Sequence, residues 1–179
     1  MEFGYTGAEF NESKETHKRL AKEYRILLKN QSFGDEGYIE NVAKNFAHYW
    51  LYSNEDMPST IENFYNILDD NFTIKTSGRL GIISDREEAI SWLDSFRRAA
   101  RYSYHKIEKM ESHSTDDSTF ENQKIIIEMT LEYFGLGISG SKLNNKSKYR
   151  WIIEKKNNEE YPKIREMEFK TIDAFSFIK

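Results

Sequence analysis

Lys124-Ile-Ile-Ile-Glu-Met-Thr-Leu-Glu-Tyr133 is the stretch on which the fold turns. Ile125, Ile127, Met129, Leu131 and Tyr133 fall on every second position, with Lys124, Glu128, Thr130 and Glu132 between them. Successive side chains of a strand point to opposite faces, so this is a long strand with one dry and one wet face. Tyr149, Trp151 and Ile153 repeat the alternation against Arg150 and Glu154. A sheet that is dry on one side requires a cover. The first hundred residues supply it as amphipathic helices.

Toward the N-terminus, the spacing predicts a helix over about 9–29, with Leu20, Tyr24, Leu27 and Leu28 on one side. That narrow stripe suits the surface of the domain or a partner. Residues 31–37 form a turn-rich linker. A second helix carries Ile39, Val42, Ala43, Phe46, Tyr49 and Trp50 as a broad core-facing stripe, and Asn54-Glu-Asp-Met-Pro breaks it. Pro58 suits the first turn of a short helix, capped by Ser59 with Glu62, that buries Ile61, Phe64, Ile67 and Leu68. Phe72–Thr76 reads as a strand and Gly78-Arg-Leu-Gly as a turn. Ser84 with Glu87 is a second capping box, opening a helix with Ala89, Trp92, Leu93, Phe96 and Ala100 inward. Strands follow near 103–112, 119–134, 146–156 and 162–173. Ile164 and Met167 have opposite parity, which predicts a bulge near Arg165. The expectation is an α+β chain in which an N-terminal helix and linker (1–37) precede one domain (38–179).

Composition narrows the function classes. The 179 residues carry 30 acids and 26 bases, interspersed, for a formal charge of −4. A dedicated nucleic-acid surface needs a clustered basic face, so no nucleic-acid partner is expected. There is no cysteine, which excludes disulfides, thiolate metal sites and cysteine nucleophiles. No signal peptide and no apolar run approaching the ~20 residues of a membrane helix is found, so the expected location is cytoplasmic and off the membrane. Hydrophobic content is 38% but aromatic content 15%, so a few large rings must carry much of the burial.

The chain resembles the nuclear transport factor 2-like superfamily of cone-shaped α+β domains, on its SnoaL-like branch with scytalone dehydratase and ketosteroid isomerase. The residues carrying the likeness are Tyr49-Trp50 on their helix, Leu68-Asp-Asp-Asn-Phe-Thr-Ile, and Ser84-Asp-Arg-Glu-Glu-Ala-Ile. To these add His105-Lys-Ile, Tyr149-Arg-Trp-Ile-Ile and Lys163-Ile-Arg-Glu-Met-Glu-Phe. The resemblance spans about 39–175. It implies a curved antiparallel sheet wrapped around three helices as a half-open barrel, an apolar pocket for a small hydrophobic molecule, no cofactor, and a homodimer. The N-terminal helix is extra to that pattern. Members include isomerases, dehydratases, cyclases and binding modules, and fold alone does not choose among them.

The resemblance also directs attention to particular residues. Ketosteroid isomerase has an Asp base on the first hairpin; the position here falls near Thr76, whose hydroxyl has no useful basicity. Tyr49 stands near that enzyme's hydrogen-bond donor, and equally suits a core aromatic. His105 aligns with a strand histidine of scytalone dehydratase, and it shares a face with Ile107, which would carry it toward Tyr49. A hydrogen-bonded structural histidine is the alternative. Lys109 shares that parity and counts against it. Met129, Tyr133 and Trp151 lie on the dry face and complete the ligand-binding set. His17, His48 and His113 read as surface residues, and no metal site is expected. Arg97, Arg98 and Arg101 read as a solvated helix end. Gly135-Leu-Gly-Ile-Ser-Gly140 matches a dinucleotide fingerprint but leads into a strand rather than a helix, so it reads as a loose loop or a flap. Two functions remain: a binding module without chemistry, or a cofactor-independent dehydratase, isomerase or cyclase using acid–base catalysis.

Overall fold

The computed structural model describes residues 7–55, 62–76, 81–98, 100–157 and 159–178. In chain order the elements are α1 (Gly7–Leu28), α2 (Tyr38–Glu55), α3 (Glu62–Tyr65), β1 (Leu68–Thr76), β2 (Ile82–Ile83), α4 (Arg86–Arg98), β3 (Ala100–Ser114), β4 (Gln123–Gly137), β5 (Lys142–Lys155) and β6 (Lys163–Ile178). The six strands form one curved, unclosed sheet in the order β2-β1-β6-β5-β4-β3. β1 joins β6 in parallel, and the long strands β3 to β6 are antiparallel.

Period-two alternation places the core on one face. Ile127 pairs with Trp151 and Trp151 with Met167; Ile125 pairs with Ile153 and Ile153 with Ile164. All six are buried, and Trp151 packs edge-on against Trp50 of α2 at 5.4 Å. Phe46 and Phe64 are buried in the same core. The opposite face carries charge: Glu111, Glu128, Arg150, Glu168 and Lys75 stand in register across five strands.

Two bulges set which side chains face in. Ile153 pairs with Ile164 and Ile152 with Glu166, so Arg165 is the extra residue, where the parity of Ile164 and Met167 placed it. Its guanidinium sits among Asp69, Glu154 and Glu159. In β3 the register shifts between Ile107 and Lys109. His105 and Ile107 therefore share the inner face with Tyr133 and Leu131, while Lys109 and Glu111 turn outward. The conflict between His105 and Lys109 vanishes at this bulge.

Several local expectations are corrected. The buried side of α1 is Phe10, Ser13, His17, Ala21, Tyr24 and Leu28, and it lies along α2 and β3; Leu27 is half exposed. Asp85, not Ser84, caps α4, accepting the Glu88 N–H at 3.0 Å, because the helix starts one residue later than the capping-box spacing requires. Ala100 opens β3 instead of ending α4. Residues 135–141 are neither flap nor loose loop: β4 runs to Gly137, and Gly137 N–H donates to Ser141 O at 2.8 Å in a tight hairpin. Arg97 is buried, bonding Asp94 at 2.7 Å and the Ser53 carbonyl near the end of α2, where a cation suits the helix dipole. The expected caps at Pro58 and Ser59, the turn at Gly78 and the Phe96 side chain lie outside the described residues. Among the described residues no helix is long and apolar enough to cross a membrane.

Candidate functional site

α2 runs unbroken to Glu55, past the point where Asn54 was expected to stop it. His48 and Glu55 are seven residues apart, two turns, and so share the side of α2 that faces α1. Opposite them α1 presents Ser13 and His17, four apart on one face. The third partner is β3, an edge strand, whose backbone at His105 has β4 on one side and no strand on the other.

The side chains of Glu55 and His17 take the place of that missing strand. The His105 N–H donates to Glu55 Oε1 at 2.6 Å, and His17 Nε2 reaches the His105 carbonyl at 3.2 Å. The Glu55 side chain is fully buried. Ser13 Oγ–H donates to its Oε2 at 2.9 Å, and His105 Nδ1 lies 3.3 Å from Oε1. One carboxylate thus organises α1, the edge of β3 and the His105 ring.

Hydrogen-bond logic assigns the tautomers. His17 Nε2 faces a carbonyl, an acceptor only, so it carries a proton. In neutral His17 the other nitrogen, Nδ1, then accepts from His48 Nδ1–H across 2.9 Å. Facing a carboxylate, His105 Nδ1 is the donor nitrogen, which leaves Nε2 with its lone pair. Burial holds His17 below its ordinary value despite the opposing effect of Glu55. Burial, then the charges of His17 and Lys44, lower His48 to about 4.

Beyond His105 the inner face of the sheet grades in polarity. The deepest rows are the apolar pairs already described. Next come Met110, Met129, Tyr149 and Phe169, then Ile107, Leu131 and Ser147, then His105, Tyr133 and Asn145. Trp92 of α4 packs on Phe169 at 5.5 Å, and Phe169 stacks on Tyr149. The His105 ring lies 5.2 Å from Tyr133. Tyr133 in turn lies over Gly135, where an added Cβ would sit 2.7 Å from its Cζ, so only glycine leaves room for the ring. Burial, with the Tyr133 phenol second, pushes Tyr149 up to about 12. Tyr149 is therefore a neutral hydrogen-bond donor throughout the physiological range.

The expected binding residues do not all meet. His105 and Tyr133 adjoin, with Tyr149 near Tyr133. Met129 and Trp151 lie deeper, and Trp151 is wholly enclosed. Tyr49 is not the partner of His105. Its hydroxyl donates to Asn63 at 3.4 Å and accepts from Asn66 at 3.3 Å. Six residues at about 100° each put Tyr49 and Glu55 on different sides of α2. His17 and His48 are not surface residues as expected: His17 is buried and His48 half-buried between the helices. Sequence reading missed Glu55 because it was assigned to a helix break. Among the described residues no group of three or more His, Asp or Glu is placed to hold a metal ion.

No protein-family model and no curated protein sequence matches the chain. Solved structures match its fold. A nuclear transport factor 2-like superfamily protein from Salmonella enterica superimposes with a TM-score of 0.61 at 7% identity, covering 75% of this chain and 91% of its own. The hexachlorocyclohexane dehydrochlorinase LinA-type3 from Novosphingobium barchaimii gives 0.59 at 10% identity, covering 78% and 90%. A protein with a cystatin-like fold from Caulobacter vibrioides gives 0.55 at 8% identity, covering 72% and 85%. The chain has the nuclear transport factor 2-like fold, an α+β cone with an unclosed sheet.

Proposed function

We propose that the inner face around His105, Tyr133 and Tyr149 binds a small, largely apolar molecule, and that His105 moves a proton on it. The observation that carries the reading is the pairing of His105 with Glu55. Acid–base work by an imidazole needs a partner that fixes its tautomer, and a buried carboxylate at 3.3 Å from Nδ1 is such a partner. The Nε2 lone pair is then free to take a proton from a carbon acid. Tyr149, held neutral, is a donor for negative charge developing on the substrate. Apolar rows beneath favour a hydrophobic substrate, and no step requires a cofactor. The chemistry is of dehydratase, isomerase or elimination type. A dehydrochlorinase on the same fold supports that class.

A second reading has its own observation. Glu55 and His17 also complete the hydrogen bonding of the β3 edge, a structural task that leaves a binding module without chemistry. Turnover separates the two. Proton abstraction is followed by NMR as deuterium exchange into, or elimination from, a panel of chlorinated cyclohexanes, cyclic enones and β-hydroxy ketones. The proton-transfer reading expects a reaction that His105→Ala slows by roughly 10²–10⁴-fold. Saturable binding of the same compounds on the inner face, with no exchange or elimination above buffer, refutes the catalytic part.

A further inference from the structure

We infer that the protein has a separate binding site for an amphiphilic carboxylate on another side of α2. A cavity of about 520 Å³ opens there between α1, the 29–33 loop, α2 and the tips of the β3–β4 and β5–β6 hairpins. That volume is ample for a small ligand. Along α2 the cavity is lined by Tyr38, Val42, Asn45, Phe46 and Tyr49, whose side of the helix lies about 110° round from that of His48 and Glu55, so this cavity is not part of the His105 site. The inference does not rest on the proton-transfer reading.

The floor is apolar, built from Val42, Phe46, Ile67 and Phe33. Tyr38 O–H donates to Gln123 Oε1 at 2.8 Å, and the Gln123 amide donates to the Phe120 carbonyl at 3.2 Å, which fixes one wall. The rim is cationic. Arg25 and Lys29 reach it from the end of α1 and Lys155 from the end of β5, against the single carboxylate of Glu160. Among the described residues none of these three cations has a carboxylate within ion-pair range, whereas Arg19, Arg86, Arg98 and Arg165 each do. Two of them lie instead over exposed rings of the rim: Arg25 over Tyr161 at 4.8 Å and Lys155 over Phe120 at 5.7 Å. The last carbonyls of α1, at Ile26, Leu27 and Leu28, already accept from Lys29, Asn30 and Gln31, and the cations of Arg25 and Lys29 offset the negative end of the helix dipole there.

An apolar floor below cations that meet no carboxylate among the described residues selects a molecule with an apolar body and one anionic head. The body lies on Phe46 and Phe33, and the head meets Arg25 and Lys155 at the mouth. Neutral amphiphiles forgo the second contact, and cationic ones are repelled.

Calorimetric titration with decanoate, decanol and decyltrimethylammonium tests this, read beside NMR shifts of the aromatic rings. The expected result is saturable decanoate binding with shifts at Phe33, Phe120 and Tyr161. Decanol should bind about tenfold more weakly and the cation not at all. The double variant R25Q/K155Q, altered only at rim residues, should lose about tenfold in decanoate affinity and none for decanol. Equal decanoate affinity in wild type and variant overturns the inference. So do shifts centred on Tyr133 and His105, or the lack of saturable binding up to about 1 mM.

Discussion

Acid should remove the stability that the histidine pair between α1 and α2 gives the fold. His48 falls from an ordinary 6.5 to about 4 on folding. A folded value below the unfolded one means that the unfolded chain binds more protons between those limits. The neutral pair therefore contributes in full above pH 6.5, and the contribution is lost as pH falls from about 6.5 to about 4. A gap of about 2.5 pH units corresponds to about 3 kcal/mol, and on the order of 2 kcal/mol after allowing for the solvent that reaches His48. His17 shifts in the same direction, but one proton already occupies the space between the two Nδ1 atoms, so the two contributions do not add. Urea denaturation of the wild type and of His48→Gln across this pH range, at constant ionic strength, isolates the effect from other titrating groups. The wild type's margin over the variant should be flat above pH 7 and shrink by about 2 kcal/mol toward pH 4.5. A margin constant within about 0.5 kcal/mol would show that the pair titrates as it does in water, and that the helix–helix contact is not built on neutral histidines.

Three further outcomes are expected. Trp151→Ala should cost about 3–5 kcal/mol in the same denaturation assay, since the ring is wholly enclosed against Trp50; a loss below about 1 kcal/mol would reverse the assignment of strand faces. Gly135→Ala should displace the Tyr133 ring and broaden or shift the His105 ring resonances, while Gly140→Ala, which strains a positive-φ hairpin tip but brings its Cβ near no side chain, should leave them unchanged. Light scattering at micromolar concentration should give twice the 21.3 kDa chain mass, as the superfamily resemblance implies, and a clean monomer mass would refute self-association.

Most of the fold was written in alternation. The run from Ile125 to Tyr133 marks the buried face of β4, and even the Arg165 bulge shows in sequence as a break of parity between Ile164 and Met167. The Glu108 bulge left the same kind of trace. Two residues of equal parity, His105 and Lys109, could not both face inward, and the backbone resolved it by an inserted residue. What stayed hidden was polar. His17 sits in a charged run where Ser13 and His17 carry no hydrophobic signal; they face inward because Glu55 and His48 satisfy them. Glu55 was masked by Asn54 and Pro58, which favour a helix end. Continuing the helix one further turn from Leu51 would have set Glu55 seven residues from His48, on one face. Long-range pairs such as Glu55 with His105, fifty residues apart, leave no mark in local periodicity.

The account rests on Glu55 fixing the His105 ring, and the tautomer of that ring reports it most directly. Two-bond ¹⁵N–¹H correlation spectra of histidine-labelled protein, recorded for wild type and Glu55→Gln above the titration range of free imidazole, distinguish the two nitrogens. In the wild type His105 should show a protonated Nδ1 and a bare Nε2, and Glu55→Gln should shift the ring toward the Nε2–H form that free imidazole prefers. An Nε2–H tautomer already present in the wild type, or a spectrum that Glu55→Gln leaves unchanged, would contradict the pairing and remove the base from the proposed chemistry.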